Sequence, residues 1–244
     1  MAQLSTLGVM RVRIHFFSAA LVLVAAALVL FGTLYFASLR PSYSHRSNTI
    51  SELGEAGAPN AREVAFGFFL PVGLLVWLAL WLVRRGASDS YASFALVALS
   101  CLGAGYAMAA FFPCDSGAPL FGSWRTQIHN VVGYIDYEGT GIGLLLISRY
   151  FARQKAAFQA VAFSVAGVLV LVGLALLSLE STFHVRGVIQ RVTEVTQFTG
   201  VFFVCYLLSR KMTPNKSPEP TAVGAVRSAI AVHAASRRWL SFFR

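Results

Sequence analysis

The chain is poor in the residues from which disulfide-built and metal-built proteins are made. Its 244 residues include three cysteines and five histidines. Cys101, Cys114 and Cys205 fall in separate segments with no CxxC or other ligand spacing, which indicates neither a disulfide framework nor a metal site. Acidic residues are scarce too: ten Asp and Glu stand against twenty Lys and Arg, a formal charge of +10. A polyanion-binding protein would spread that excess over one face, whereas here Lys and Arg sit in short clusters between long apolar runs. Nucleic acid is therefore not an expected partner. The first apolar run lacks a cleavage pattern at Leu34-Tyr35-Phe36-Ala37 and outlasts a usual signal-peptide core, so it reads as a retained anchor. Asn48-Thr49-Ile50 misses the glycosylation rule at its third position, and no internal repeat stands out.

What is abundant is apolar length. Hydrophobic residues make up 57% of the chain, more than a single water-soluble core of this size would bury, so lipid is the expected surrounding. A helix needs about 20 predominantly apolar residues to cross the hydrocarbon layer. That ruler finds six spans, at Phe16–Ser38, 64–83, 91–112, 128–148, 158–179 and 188–208. The expected fold is an all-α integral membrane bundle of six transmembrane helices.

Arg11 and Arg13, Arg84 and Arg85, Arg149, Arg153 and Lys155, and Arg210 and Lys211 all fall on one side when six spans alternate. Basic residues mark the cytoplasmic side, so both termini are expected inside a bacterial inner membrane. The opposite side mixes Arg40, Arg46, Arg62, Arg125, Arg186 and Arg191 with Glu52, Glu55, Glu63, Asp115 and Glu180, and pairing is expected among them. Its loops are the longer ones, where a site is expected. Asn60 and Glu63 are placed to cap the second helix. After Lys211 the sequence turns to Thr-Pro-Asn-Lys-Ser-Pro-Glu-Pro, which ends the domain 1–211. The basic tail 212–244 is expected to be disordered or to form a short interfacial helix.

Ionisable groups inside membrane spans are costly and therefore informative. His129, Gly133 and Asp136 follow i, i+4, i+7 spacing on one helix face, while Glu138 points elsewhere. Gln190, Arg191 and Glu194 open the last span, with Arg191 placed to pair with Glu194, Asp136 or Glu138. In the Phe112-Pro113-Cys114-Asp115 turn, Asp115 and His129 are placed either for an acid and base pair or for tying the turn and satisfying a carbonyl. The glycines of Gly139-Thr140-Gly141-Ile142-Gly143 read as helix contacts rather than a nucleotide loop, and Gly103 and Gly105 allow the same reading.

Taken in order, Ile50-Ser51-Glu52-Leu53-Gly54 with Pro59-Asn60, Phe112-Pro113-Cys114-Asp115, His129 and Gly187-x-x-Gln190-Arg191 resemble the six-helix membrane proteins grouped as domain of unknown function 998. The resemblance covers residues 12–211 and implies fold and location rather than a reaction. In that family the turn after the third helix often carries a second cysteine after Asp-Pro-Gly; here Ala118 stands near that place. The tail, from Asn-Lys-Ser-Pro-Glu-Pro-Thr to its end, resembles translated recombination-site sequence of bacterial mobile gene cassettes.

Three functions fit these residues. The first is a non-enzymatic protein whose outward polar pocket, formed by Ser51, Glu52, Asp115, His129, Asp136, Gln190, Arg191 and Glu194, binds a lipid head group or small solute without cofactor or metal. The second is a metal-dependent membrane hydrolase resembling ceramidase-like enzymes, with His129, Asp115, His184 and Ser51 as available groups. The third is an ion-coupled transporter using Asp136 and Glu138.

Overall fold

The computed structural model describes residues 2–211, with side chains from 16 to 210, so the expectations for the tail lie outside the described residues. Six long helices follow one another: α1 (Ala2–Ser38), α2 (Ala61–Gly86), α3 (Ser90–Phe111), α4 (Trp124–Arg153), α5 (Ala157–Leu177) and α6 (Arg186–Lys211). No strand occurs among the described residues. Five helices are long and apolar enough to cross a membrane; α4 is outside that set. Length is not the reason, because its 30 residues extend about 45 Å. His129, Asn130, Asp136 and Glu138 dilute its apolar character.

The helix ends follow from local chemistry. Asp89 caps α3 by accepting the Ala92 N–H at 2.8 Å, and Ser123 caps α4 through the Thr126 N–H at 3.4 Å. Arg84 and Arg85 sit in the last turn of α2 and Arg153 in that of α4, where the carbonyl ends favour cations. Asn60 makes no side-chain cap. Instead α2 opens into a widened π-turn over Val64–Phe69, which swings Phe68 and Phe69 into the core.

Neighbours in sequence are neighbours in space. Each helix packs on the next, and α6 returns to α1, so the six close a ring. Close approach is made by paired glycines: a Cβ on Gly73 would lie 2.6 Å from the Gly103 carbonyl, and one on Gly167 would lie 2.8 Å from that of Gly141. Leu30, Phe31, Trp81, Phe94, Val161 and Val195 are exposed on the outside of the ring. Large apolar side chains on the outer surface, with acids and amides inside, are the reverse of a water-soluble fold and match a multi-pass protein in lipid.

Candidate functional site: a polar cavity beneath the long loops

The long loops between α1 and α2 and between α3 and α4 meet the start of α6 at one end of the ring. Two buried ion pairs hold them. Arg186 Nη2 lies 2.9 Å from Glu52 Oε1, and Arg40 pairs with Glu55. Neither acid depends on its arginine alone. Glu52, in the 3₁₀ turn Ser51–Gly54, also accepts the Thr49 N–H at 2.7 Å, the Thr49 hydroxyl at 3.0 Å and Asn48 Nδ2 at 2.6 Å. Glu55 accepts the Gly117 N–H at 2.7 Å and the Ser116 hydroxyl at 3.3 Å. Gly117 and Ala118 both have positive φ, 78° and 41°, and this unusual turn aims both their carbonyls at Arg186. Buried charges are tolerated when every lone pair and proton finds a partner, and this end of the molecule meets that condition.

Arg191 does not pair with Glu194, Asp136 or Glu138. It turns toward the loop, where its Nη1 donates to the carbonyls of Gly187 (2.7 Å), His45 (3.0 Å) and Asn48 (3.0 Å). Its Nη2 donates to the Tyr43 hydroxyl at 2.7 Å and to His45 Nδ1 at 3.0 Å, so that nitrogen of His45 carries no proton. Partial desolvation and the Arg191 charge hold His45 below its ordinary value of 6.5. Gln190 accepts the Ile50 N–H at 2.6 Å. Both residues therefore fasten the loop to α6.

The Asp115 carboxylate accepts the Ser123 N–H at 2.7 Å and the Ser123 hydroxyl at 2.8 Å, and these two bonds hold it below the usual carboxylate range. His129 Nδ1 lies 2.8 Å from the Phe112 carbonyl. The acid and base pair is not formed; each residue ties down backbone of the turn. Cys114 is free and buried with its Sγ 3.7 Å from the Ser51 carbonyl. Burial, reinforced by Glu55 and Glu52, pushes its thiol up to about 12.

Below this cap lies a cavity of about 50 Å³. Ser51, His129, Asp136, Gln190 and Glu194 line it, together with Gly133, whose missing side chain leaves the space open. Glu52, Asp115 and Arg191 do not line it. The bonds made by the two acids are all from neutral donors. Glu194 accepts the Tyr106 hydroxyl at 2.9 Å and the Tyr137 hydroxyl at 3.0 Å. Asp136 accepts Gln197 Nε2 at 2.9 Å and the Thr140 hydroxyl at 3.5 Å. Neither acid forms an ion pair among the described residues. Glu138 is exposed on the outward face of α4, so the companion of Asp136 is Glu194. His184 is exposed in the turn before α6, and no group of three His, Cys, Asp or Glu side chains converges among the described residues. A hydrolytic metal centre gains no support from this arrangement.

Tyr106, Tyr137 and Gln197 were not among the sequence candidates. Gln197 had a signal, since Gln190, Glu194 and Gln197 continue one polar stripe at i, i+4, i+7. The tyrosines had none, because an aromatic residue in an apolar run looks like packing.

Residues 23–207 match the model of a protein family of unknown function, DUF998. No curated protein and no solved structure matches the chain. The match covers most of the sequence, and the chain belongs to that family.

Proposed function

We propose that this member of the DUF998 family is a six-span protein of the bacterial inner membrane with both termini in the cytoplasm, and that it binds a small positively charged solute in an outward-facing cavity. The unit responsible is 1–211, and the tail 212–244 has no part in it. The orientation rests on the basic residues at the short-loop side. On this reading α4 is the sixth span: it packs between α3 and α5 and turns its acid inward.

One observation carries the reading: Asp136 and Glu194, both buried, line one cavity, and among the described residues they accept hydrogen bonds only from hydroxyl and amide donors, with the His129 ring also on its wall. An uncompensated carboxylate within the hydrocarbon layer costs several kcal/mol, about 2.5–3.5 on insertion scales. Its charge is balanced by a proton or by a bound cation. The cavity volume of about 50 Å³ holds a few water molecules and no lipid head group, which selects the small solute over the lipid.

Thermal unfolding of the protein in lipid nanodiscs, with sodium, ammonium and methylammonium chlorides against choline chloride, tests this. At a hundred times the dissociation constant, a bound cation stabilises by about 2.7 kcal/mol. The gain should vanish in Glu194→Gln and in Gly133→Leu, which fills the cavity. Equal unfolding temperatures in all four salts would refute the proposal.

A further inference from the structure

A second hollow lies between α1 and α6, opening on the outside of the ring. Its volume is about 310 Å³, and Ala26, Val29, Leu30 and Leu34 of α1 face Val195 and Phe198 of α6 across it. The walls are almost wholly apolar. From Ala26 to Leu34 the groove runs about 12 Å along α1, close to the length of a decyl chain.

Two residues, Ile50 and Glu194, line both this groove and the polar cavity. Cavity and groove therefore meet at these two side chains, one of which is a member of the carboxylate pair. Ile50, held to Gln190, and the loops held through Glu52 and Arg186 lie at the loop end of the cavity, and on the α4/α5 side a hollow of about 120 Å³ shares Ser51, His129, Gly133, Tyr137 and Gln190 with it. Thr33 also lines the groove; it is 5% exposed, and its hydroxyl has no hydrogen-bond partner among the described residues.

We propose that the cavity is reached sideways from the bilayer through the α1/α6 groove, and that its ligand is a single-tailed lipophilic amine. The ammonium head sits at Glu194 and Asp136, and the alkyl tail lies along the groove past Thr33. The proposal rests on the cation-binding reading of the cavity. An apolar groove alone would accept any chain; the two acids without an arginine or lysine partner select the head. Arg191, at the loop end of the groove, has its donors engaged by carbonyls, Tyr43 and His45 and makes no ion pair with Glu194.

The test is a series of primary alkylammonium ions from methyl to dodecyl, titrated into protein-loaded nanodiscs and corrected by titration into empty ones. Affinity for the protein, referred to the amine free in water, should rise about fourfold per methylene toward decyl, the length of the groove. Val195→Trp, which fills the groove from a lipid-facing position, should flatten the chain-length dependence and leave methylammonium binding unchanged. Glu194→Gln should abolish both. If methylammonium binds and longer chains bind no more tightly, the sideways path is wrong while the cavity reading stands. If no member of the series binds, both fall. Decanoate binding as tightly as decylammonium would overturn the choice of head.

Discussion

Two regions of this molecule bury acidic side chains, and they treat them in opposite ways. In the cap, Glu52 and Glu55 each meet an arginine and a set of backbone and side-chain donors. Beneath it, Asp136 and Glu194 meet hydroxyls and an amide, and form no ion pair among the described residues. Full pairing locks the cap: removing any member strands a buried charge. The core pair has no ionic partner among the described residues, and the proposed cation site rests on that difference between two regions built from the same residue types.

The sharpest way to break this comparison is to strand a charge in the cap. Arg186→Ala removes the ion pair to Glu52 and the bonds to Gly117 and Ala118, and should cost about 3–5 kcal/mol in equilibrium unfolding in mixed micelles. A loss below about 1 kcal/mol would mean that Glu52 is held well enough by Thr49 and Asn48, and that the cap is not locked by charge.

Packing around the core pair comes next. A Cβ on Gly105 would collide with the Asp136 carboxyl group, so Gly105→Ala should cost about 1–3 kcal/mol and displace that carboxylate. Unchanged stability together with unchanged cation response would show that Asp136 has room to move and is not fixed against α3.

A smaller effect is expected where the comparison is most direct. Glu194→Gln keeps groups able to meet Tyr106 and Tyr137 and removes the charge, so without added cation its stability should stay within about 1 kcal/mol of the parent. Glu52→Gln should be clearly worse, because it leaves Arg186 buried without its acid. Equal losses in these two variants would erase the distinction between the regions.

The smallest effect concerns pH at the loop. His45 is held below 6.5 in the folded protein, so the unfolded state binds its proton first. Its contribution is fully present above that value and diminishes as the pH falls below it. Because the ring is mostly exposed, the loss should be local: amide exchange at residues 43–48 speeds up between pH 7 and pH 5, while exchange in α3 and α4 does not. His45→Gln, which keeps an acceptor, should remove the pH dependence.

Much of the fold was legible before the structure. Six apolar runs became six long helices with ends shifted by up to five residues, except that α1 begins at Ala2 rather than Phe16, since apolar length and the flanking Arg84, Arg85 and Arg153 are local signals. The stripe of His129, Gly133 and Asp136 was legible from helical period alone, and all three residues line the cavity. The direction taken by Arg191 was not. From spacing it could reach Glu194 within its own helix, but the loop at 43–48 offers carbonyls, a hydroxyl and an imidazole nitrogen at the same distance. Which set wins depends on where a loop far away in sequence comes to rest. The widened turn of α2 was equally hidden, because nothing in Val-Ala-Phe-Gly-Phe-Phe states that the helix opens there.

By itself the sequence determined that the chain is helical, that most of its helices are long and apolar enough for a bilayer, and which few polar residues lie inside the spans. These properties depend on composition, length and period, which neighbours in the chain set together. Only the tertiary structure decided which acids are paired. Glu52 and Glu194 differ by nothing in their own side chains; they differ because Arg186 reaches one across 134 positions of sequence and, among the described residues, no cation pairs with the other. Charge compensation inside a membrane is a property of three-dimensional neighbours, and this protein holds one pair of acids compensated and the other open.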